Sequence, residues 1–313
     1  MRIVIKLTLL GFLAASFFIP EVAAQVLPDP VERESALAAN KEKIRRSGIK
    51  SVTIWRYEVG PSGMEQQGEQ LSHTAYDREG NRLEQTHSAK KNGFPEGITY
   101  QYDRKGRVVE RRTRQSNAAL STRMRYDYDS DGHVVRAVNY KPDGSVSVTL
   151  EYDYDSNGKP VEMRTATPTG QLDHRSTFSY DSRGNLSEVT LYASNSLQAR
   201  TVYTHNGDGR RVEQVRLDAS GRMMRRTEFR YDADGNMIRM AVYNADRNLF
   251  SESSRQYDGE GNIIEAVASY PTANLRTRAT FEYDTRGNML EQVKYNKLDE
   301  PVEVIKYVYE YYN

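Results

Sequence analysis

The sequence predicts an all-β protein: a solenoid-like array of antiparallel β-hairpins that forms a long, twisted and curled sheet, with a short N-terminal helix. Two observations support this fold class. A six-residue unit, seen at 231–236 as YDADGN and called the turn unit below, recurs with a step of 26 residues at every interval except one of 25. Aromatic and apolar residues also keep fixed positions around the unit, which indicates that each repeat has one buried face.

The turn unit is predicted to close a β-hairpin. Its aspartate can accept backbone N–H groups two residues on, and its glycine supplies the positive φ of a type I turn followed by a bulge. The unit begins at Tyr76, Tyr102, Tyr128, Tyr154, Tyr180, His205, Tyr231, Tyr257, Tyr283 and Tyr309. The predicted turn-forming glycines are Gly80, Gly106, Gly132, Gly158, Gly184, Gly209, Gly235, Gly261 and Gly287.

Residues 1–24 are predicted to be a cleavable signal peptide. Arg2 and Lys6 form a basic start, an apolar run continues to Ile19, and small residues precede a cleavage point after Ala24. The apolar run is shorter than the ~20 residues of a membrane-spanning helix, which disfavours the alternative of a membrane anchor. The mature protein is therefore expected to be secreted or periplasmic and to have no membrane span.

Composition limits the partners and the sources of stability. The chain has no cysteine, so packing must stabilise it without disulfides. Its 44 Lys and Arg residues nearly balance its 43 Asp and Glu residues, and removal of residues 1–24 makes the two totals equal. A balanced surface argues against a nucleic acid or an anionic membrane that is bound mainly through charge.

Residues 25–48 are predicted to be a linker and a capping helix, with the helix at about 30–47 between Pro30 and the stop signal Gly48. Residues 49–75 fill about one period without a turn unit, and we interpret them as a degenerate repeat that caps an open end. The repeat array itself is expected to occupy residues 76–313.

Each repeat is predicted to contain two strands and two turns. An aromatic residue two positions before the unit, such as Phe229, shares a strand face with the tyrosine of the unit. A second turn follows midway through the repeat and is clearest at 142–144 (PDG). Glutamate dominates the position eight residues after the unit begins, and we interpret this column as a solvated face with cross-strand Glu–Arg pairs.

The pattern Tyr-x-Tyr-Asp-x-x-Gly-Asn, present at 281–288 as FEYDTRGN, resembles the YD (Rhs) repeat family. The resemblance covers residues from about 74 to 313. It implies β-hairpins that wind into a spiralling sheet, and an extracytoplasmic scaffold with carbohydrate or cell-surface binding as a recurrent role. Toxin-bearing members carry an Rhs-core motif and a toxin domain after the repeats, and this sequence shows neither.

No catalytic, metal or cofactor site is predicted. The stretch 127–132 matches the start of an EF-hand calcium loop, but Val138 occupies the place of the bidentate glutamate. The five histidines lack metal-ligand spacing, and the glutamates recur with the fold instead of forming the single carboxylate pair that glycoside hydrolysis uses. We therefore expect a protein that is not an enzyme and needs no cofactor.

Four tyrosines at the entrance of the second turn are the candidate ligand-stacking residues: Tyr140, Tyr192, Tyr243 and Tyr295. They are absent from the other repeats, so a core common to all repeats does not require them. A tyrosine ring offers a flat apolar face together with a hydroxyl group.

The function that these features favour is a non-enzymatic scaffold that binds carbohydrate, a cell surface or a protein partner. One alternative is an accessory or remnant of an Rhs/YD-type toxin system. A second is an outer-membrane barrel, which the arginines on both faces of the strand at 222–230 disfavour. An enzyme with a concealed site is the third.

Overall fold

The computed structural model describes residues 40–60, 62–87, 97–114 and 121–313. The predicted signal peptide, the linker and the first part of the predicted helix lie outside these residues. A helix, α1, covers 40–47, which confirms the short N-terminal helix. The strands are β1 Ile49–Glu58, β2 Glu69–Tyr76, β3 Arg82–His87, β4 Gly97–Tyr102, β5 Val108–Arg114, β6 Ser121–Tyr128, β7 Val134–Tyr140, β8 Val146–Tyr154, β9 Pro160–Ala166, β10 Leu172–Tyr180, β11 Leu186–Ala193, β12 Ser196–His205, β13 Arg211–Asp218, β14 Met223–Tyr231, β15 Met237–Tyr243, β16 Leu249–Tyr257, β17 Ile263–Tyr270, β18 Leu275–Tyr283, β19 Met289–Tyr295 and β20 Pro301–Tyr311. Among the described residues, no helix has the length and apolar character to cross a membrane.

The twenty strands form one closed antiparallel barrel. Each strand pairs with the strands before and after it, and β1 pairs with both β2 and β20. The prediction of an open, solenoid-like array was therefore wrong. Strand β1 lies in the segment that was expected to cap an open end, but it has a partner strand on each side. Closure gives hydrogen-bond partners to both edge strands, whereas an open curled sheet would leave those backbone groups exposed.

Strand direction alternates, so the turn units lie at one end of the barrel and the second turns at the other. Helix α1 packs against the turn-unit end. The Nζ of Lys43 donates a hydrogen bond to the carbonyl oxygen of Gly287 at 2.8 Å. Ile44 is buried in a cluster that includes Ile49, Tyr76 and Ile305. The helix therefore sits where β20 meets β1 and β2.

The single 25-residue step is accommodated within a turn. Five of the described second turns have a three-residue loop, as in the hydrogen bonds from Gly221 N to Asp218 O and from Asp218 N to Arg222 O. Between β11 and β12 the loop has only two residues, Ser194 and Asn195, with φ of 44° and 65°. Two consecutive residues of positive φ form the tight hairpin turn that matches strand twist. The missing residue therefore leaves the faces of the neighbouring strands unchanged.

The two faces of the barrel wall differ in burial. Along β18, Ala279 and Phe281 are buried on one face, whereas Arg276 and Glu282 on the other face are exposed. Side chains converge inside a closed barrel and diverge outside it, so we assign the buried face to the interior. The inner face carries the aromatic residues that precede each turn unit, and the outer face carries the glutamate column and its arginines.

Candidate functional site

Each of the four candidate tyrosines lies on the outer face directly opposite an arginine. Tyr192 on β11 pairs across the strands with Arg175 on β10, and the guanidinium carbon is 4.2 Å from the ring centroid. The same contact recurs between Arg123 and Tyr140 at 4.4 Å, Arg226 and Tyr243 at 5.9 Å, and Arg278 and Tyr295 at 3.8 Å. All four rings are partly exposed. Cation–π attraction therefore holds one side of each ring against its arginine.

A glutamate on the preceding strand completes each group. The Nη1 of Arg175 lies 3.3 Å from Glu162 on β9. The corresponding ion pairs are Arg123 with Glu110, Arg226 with Glu213, and Arg278 with Glu265. We call each group a Glu–Arg–Tyr set; the sets are Glu110–Arg123–Tyr140, Glu162–Arg175–Tyr192, Glu213–Arg226–Tyr243 and Glu265–Arg278–Tyr295.

The sets recur at every second repeat. Their tyrosines are 52, 51 and 52 residues apart, and each set spans three consecutive strands: β5–β7, β9–β11, β13–β15 and β17–β19. Neighbouring sets are separated by four strand spacings, or roughly 19 Å around the wall. The outer surface therefore presents the same three side chains four times at regular intervals.

Two arginines of the sets, Arg226 and Arg278, each have two acidic partners. Hydrogen bonding to Glu213 raises the pKa of Arg226, and hydrogen bonding to Asp299 raises that of Arg278. Arg226 also bonds Glu228 at 2.7 Å. In these two sets a restrained guanidinium lies against Tyr243 and Tyr295, which limits the orientations of the two rings before any ligand binds.

The nine predicted turn-forming glycines form a ring at one end of the barrel, and the second turns lie at the opposite end. All nine have positive φ, between 74° and 97°. In one turn, Gly235 N donates to Asp232 O at 3.2 Å, and Asp232 N donates to Asn236 O at 3.0 Å. The Asp232 carboxylate also accepts hydrogen bonds from the backbone N and the side-chain amide of Asn236. These contacts are those of a three-residue turn with a bulge.

One group of side chains resembles a metal site. Ligand atoms of Asp129, Asp131 and His133 lie within 4.8 Å of one another. Oδ1 of Asp129 already accepts hydrogen bonds from the backbone N–H groups of Gly132 and His133, and Oδ2 lies 3.1 Å from Nδ1 of His133. Both oxygens of the Asp129 carboxylate thus already have hydrogen-bond partners within its own turn.

Comparison with known proteins gives a limited result. A family model described as "Uncharacterised protein" matches residues 177–307. No curated protein matches the chain. Because that model covers less than half of the chain, membership of the YD (Rhs) repeat family stays a prediction.

Several solved structures are similar in part. A chain of the Photorhabdus luminescens Tc holotoxin pore is 14% identical, with a TM-score of 0.32, and the match covers 77% of this chain and 16% of that chain. A chain of the TcdB2-TccC3-Cdc42 structure is 12% identical with a TM-score of 0.29, over 80% and 18% of the two chains. A porin-like protein from Bacteroides uniformis is 9% identical with a TM-score of 0.38, over 84% and 98%. The chain spans under a fifth of the toxin chains, and similarities this low support no conclusion about function.

Proposed function

We propose that the protein is a non-enzymatic, extracytoplasmic scaffold that binds glycan chains through the four Glu–Arg–Tyr sets on its outer face. The observation that carries this proposal is the recurrence of the same partly exposed tyrosine, with its arginine and glutamate, at every second repeat. The location outside the cytoplasm rests on the predicted signal peptide at residues 1–24.

The chemistry of one set suits a sugar. A tyrosine ring gives a flat apolar surface for the C–H groups of a pyranose, and its hydroxyl can exchange hydrogen bonds with sugar hydroxyls. The arginine supplies donors and the glutamate supplies acceptors beside the ring. In the set of β9–β11, Tyr192, Arg175 and Glu162 bring these three kinds of group onto adjacent strands.

Repetition favours a polymeric ligand. A single aromatic contact contributes on the order of 1 kcal/mol, which is too little for stable binding of one sugar unit. Binding at a second set would be intramolecular once the first is occupied, so a long chain gains from effective concentration. We therefore expect affinity to rise steeply once an oligosaccharide is long enough to reach two sets.

A glycan array with the mature protein, followed by calorimetry on the best oligosaccharide, tests the proposal. The double variant Tyr192→Ala/Tyr243→Ala removes two adjacent rings and should weaken binding at least tenfold, because about 1.4 kcal/mol corresponds to that factor. Phe250→Ala is the matched control, since Phe250 is an exposed aromatic residue outside the sets. It should leave the affinity unchanged.

Thermal unfolding of the same variants separates binding from packing. Equal glycan binding by the parent and the double variant would refute the proposed sites. No glycan binding by the parent, together with a large loss of stability in the double variant, would assign these tyrosines to the barrel wall and leave a purely structural scaffold.

A further inference from the structure

Two arginines face each other on the inner wall of the barrel. Arg216 on β13 pairs directly across the strands with Arg225 on β14, and both side chains are partly buried. Like charges directly opposite each other in a sheet are destabilising. Burial and the charge of Arg225 both lower the pKa of Arg216, which shows that its charge is unfavourable at this place.

Two like-charge pairs on the outer face each have a bridging side chain of opposite charge. Asp153 pairs with Glu162 across β8 and β9, and Arg164 bridges them with ion pairs of 2.7 and 2.8 Å. Glu213 and Glu228 are likewise bridged, by Arg226. A side chain of opposite charge thus compensates each of these two pairs.

No such bridge exists for the inner arginines within the part of the chain that the structure describes, because neither Arg216 nor Arg225 forms an ion pair there. The acidic residue nearest in sequence on β13 is Asp218. Its carboxylate accepts hydrogen bonds from the backbone and side chains of Ser220 and Arg222 in the adjoining turn. The Asp218 carboxylate therefore stabilises the turn, and the positive charge of the two arginines stays uncompensated.

A cavity of about 340 Å³ adjoins Arg216. Arg216, His174, Gln198 and Asp218 contribute polar groups to its wall. The carboxylate of Asp218 is already hydrogen-bonded to Ser220 and Arg222 in its own turn, so Arg216 is the cationic group left to meet an anion there. Leu191 and Met224 contribute apolar surface, and the short side chains of Ala193 and Ala199 leave the space free. Its volume lies at the lower end of the range of small-molecule sites, which are mostly apolar with a few placed polar groups.

We propose that this cavity binds a small anionic molecule of about the size of one sugar ring, whose carboxylate, phosphate or sulfate group lies against Arg216 beside Arg225. The anion compensates the charge of the arginine pair, as a bridging arginine compensates each of the two acidic pairs on the outer face. Guanidinium groups bind such oxyanions through two parallel hydrogen bonds. Leu191 and Met224 contact the apolar side of the ligand. This site is independent of the glycan sites on the outer face.

Calorimetric titration of the mature protein with three probes tests the proposal: glucuronate, glucose and inorganic phosphate. Glucuronate and glucose share a ring and differ in the carboxylate, so glucuronate should bind and glucose should not. Tighter binding of glucuronate than of phosphate identifies an acidic sugar as the ligand class, and the reverse order identifies a free phosphate-type anion. Equal binding of glucose and glucuronate would overturn the proposal, as would the failure of both anions to bind.

Variants of the two arginines test where the anion binds. Arg216→Gln and Arg225→Gln should each weaken anion binding about tenfold or more, which corresponds to the loss of a charge-assisted hydrogen bond. In buffer without the probe anions, both variants should melt no earlier than the parent, because they relieve a like-charge repulsion. Arg230→Gln, on the outer face of the same strand and opposite Arg239, is the control and should bind like the parent. Unchanged anion affinity in Arg216→Gln would refute the placement of the anion against Arg216.

Discussion

The hydroxyl of Tyr180 donates a hydrogen bond to the carbonyl oxygen of Pro160, 2.8 Å away and 20 residues earlier in the chain. The β9–β10 register ends at Thr177 and Glu162, so this contact joins the two strands beyond the last paired residues. The same contact is made by Tyr102, Tyr128, Tyr154, Tyr231, Tyr257, Tyr283 and Tyr309. In these eight turn units the tyrosine therefore joins its hairpin to the one before it.

Tyr180→Phe should lower the free energy of unfolding by about 1 kcal/mol, because it removes this hydrogen bond and keeps the ring. Denaturant unfolding measures the loss. Tyr192→Phe is the control, since its hydroxyl makes no hydrogen bond with the described residues. A similar loss in both variants would mean that the contact with Pro160 contributes little.

Two glycines in one turn should respond differently to the same substitution. Gly209 has φ of 77°, whereas Gly207 lies outside the left-handed region and has no other atom within 4 Å of the place that a Cβ would occupy. Gly209→Ala should cost about 1 kcal/mol or more, since L-residues are disfavoured in the left-handed region, and Gly207→Ala should cost much less. Thermal unfolding compares them, and equal costs would contradict the turn geometry.

Acid should destabilise the barrel through its turn aspartates. Hydrogen bonds from Ser220 and Arg222 lower the pKa of Asp218 to about 2, from about 3.9 in an unfolded chain. A depressed pKa gives stability that is complete above the unfolded value and is lost as the pH falls from about 4 towards 2. Asp218→Asn removes this contribution, so the stability of the variant should fall less steeply over that interval. Parallel pH profiles of the parent and the variant would refute the assignment.

The region of the shortened repeat should be as well protected as its neighbours. One missing residue can reverse the faces of a strand, which by itself would favour local opening at about 192–210. The structure pairs β11 with β12 up to Ala193 and Ser196, next to the two-residue turn. Hydrogen exchange followed by mass spectrometry should show equal protection in β12 and β14. Faster exchange confined to β12 would contradict this expectation and indicate local opening at the shortened repeat.

Features that depend on a few consecutive residues could be predicted from the sequence, and features that depend on distant strands could not. Asp232 and Gly235 are three residues apart, and their turn geometry follows from local chemistry. The closure of the barrel depends on the pairing of β1 with β20, whose residues are about 250 positions apart in the chain. No local pattern encodes the cumulative curvature that brings these strands together.

The candidate site was predicted in part. Tyr140, Tyr192, Tyr243 and Tyr295 were selected because they are absent from the other repeats, but their arginine partners were missed. A signal was present, since an arginine stands five residues before the turn unit in each of those four repeats. An apolar residue also stands seven positions after the start of most turn units. Four of these residues are exposed although they are apolar, and all four stand where the strand register shifts beside the turn: Leu83, Ile238, Ile264 and Leu290.

The pairing of β1 with β20 makes the order of synthesis matter. Strand β1 leaves the ribosome about 250 residues before its partner β20, so the growing sheet has both edges unpaired until Tyr311 is available to Ile49. During that interval the growing sheet can add strands from another chain. A chaperone that holds the unfinished sheet, or folding that stays slow until the chain is released, would protect these unpaired edges. Such protection matters more for this protein than for a repeat array whose units fold one after another.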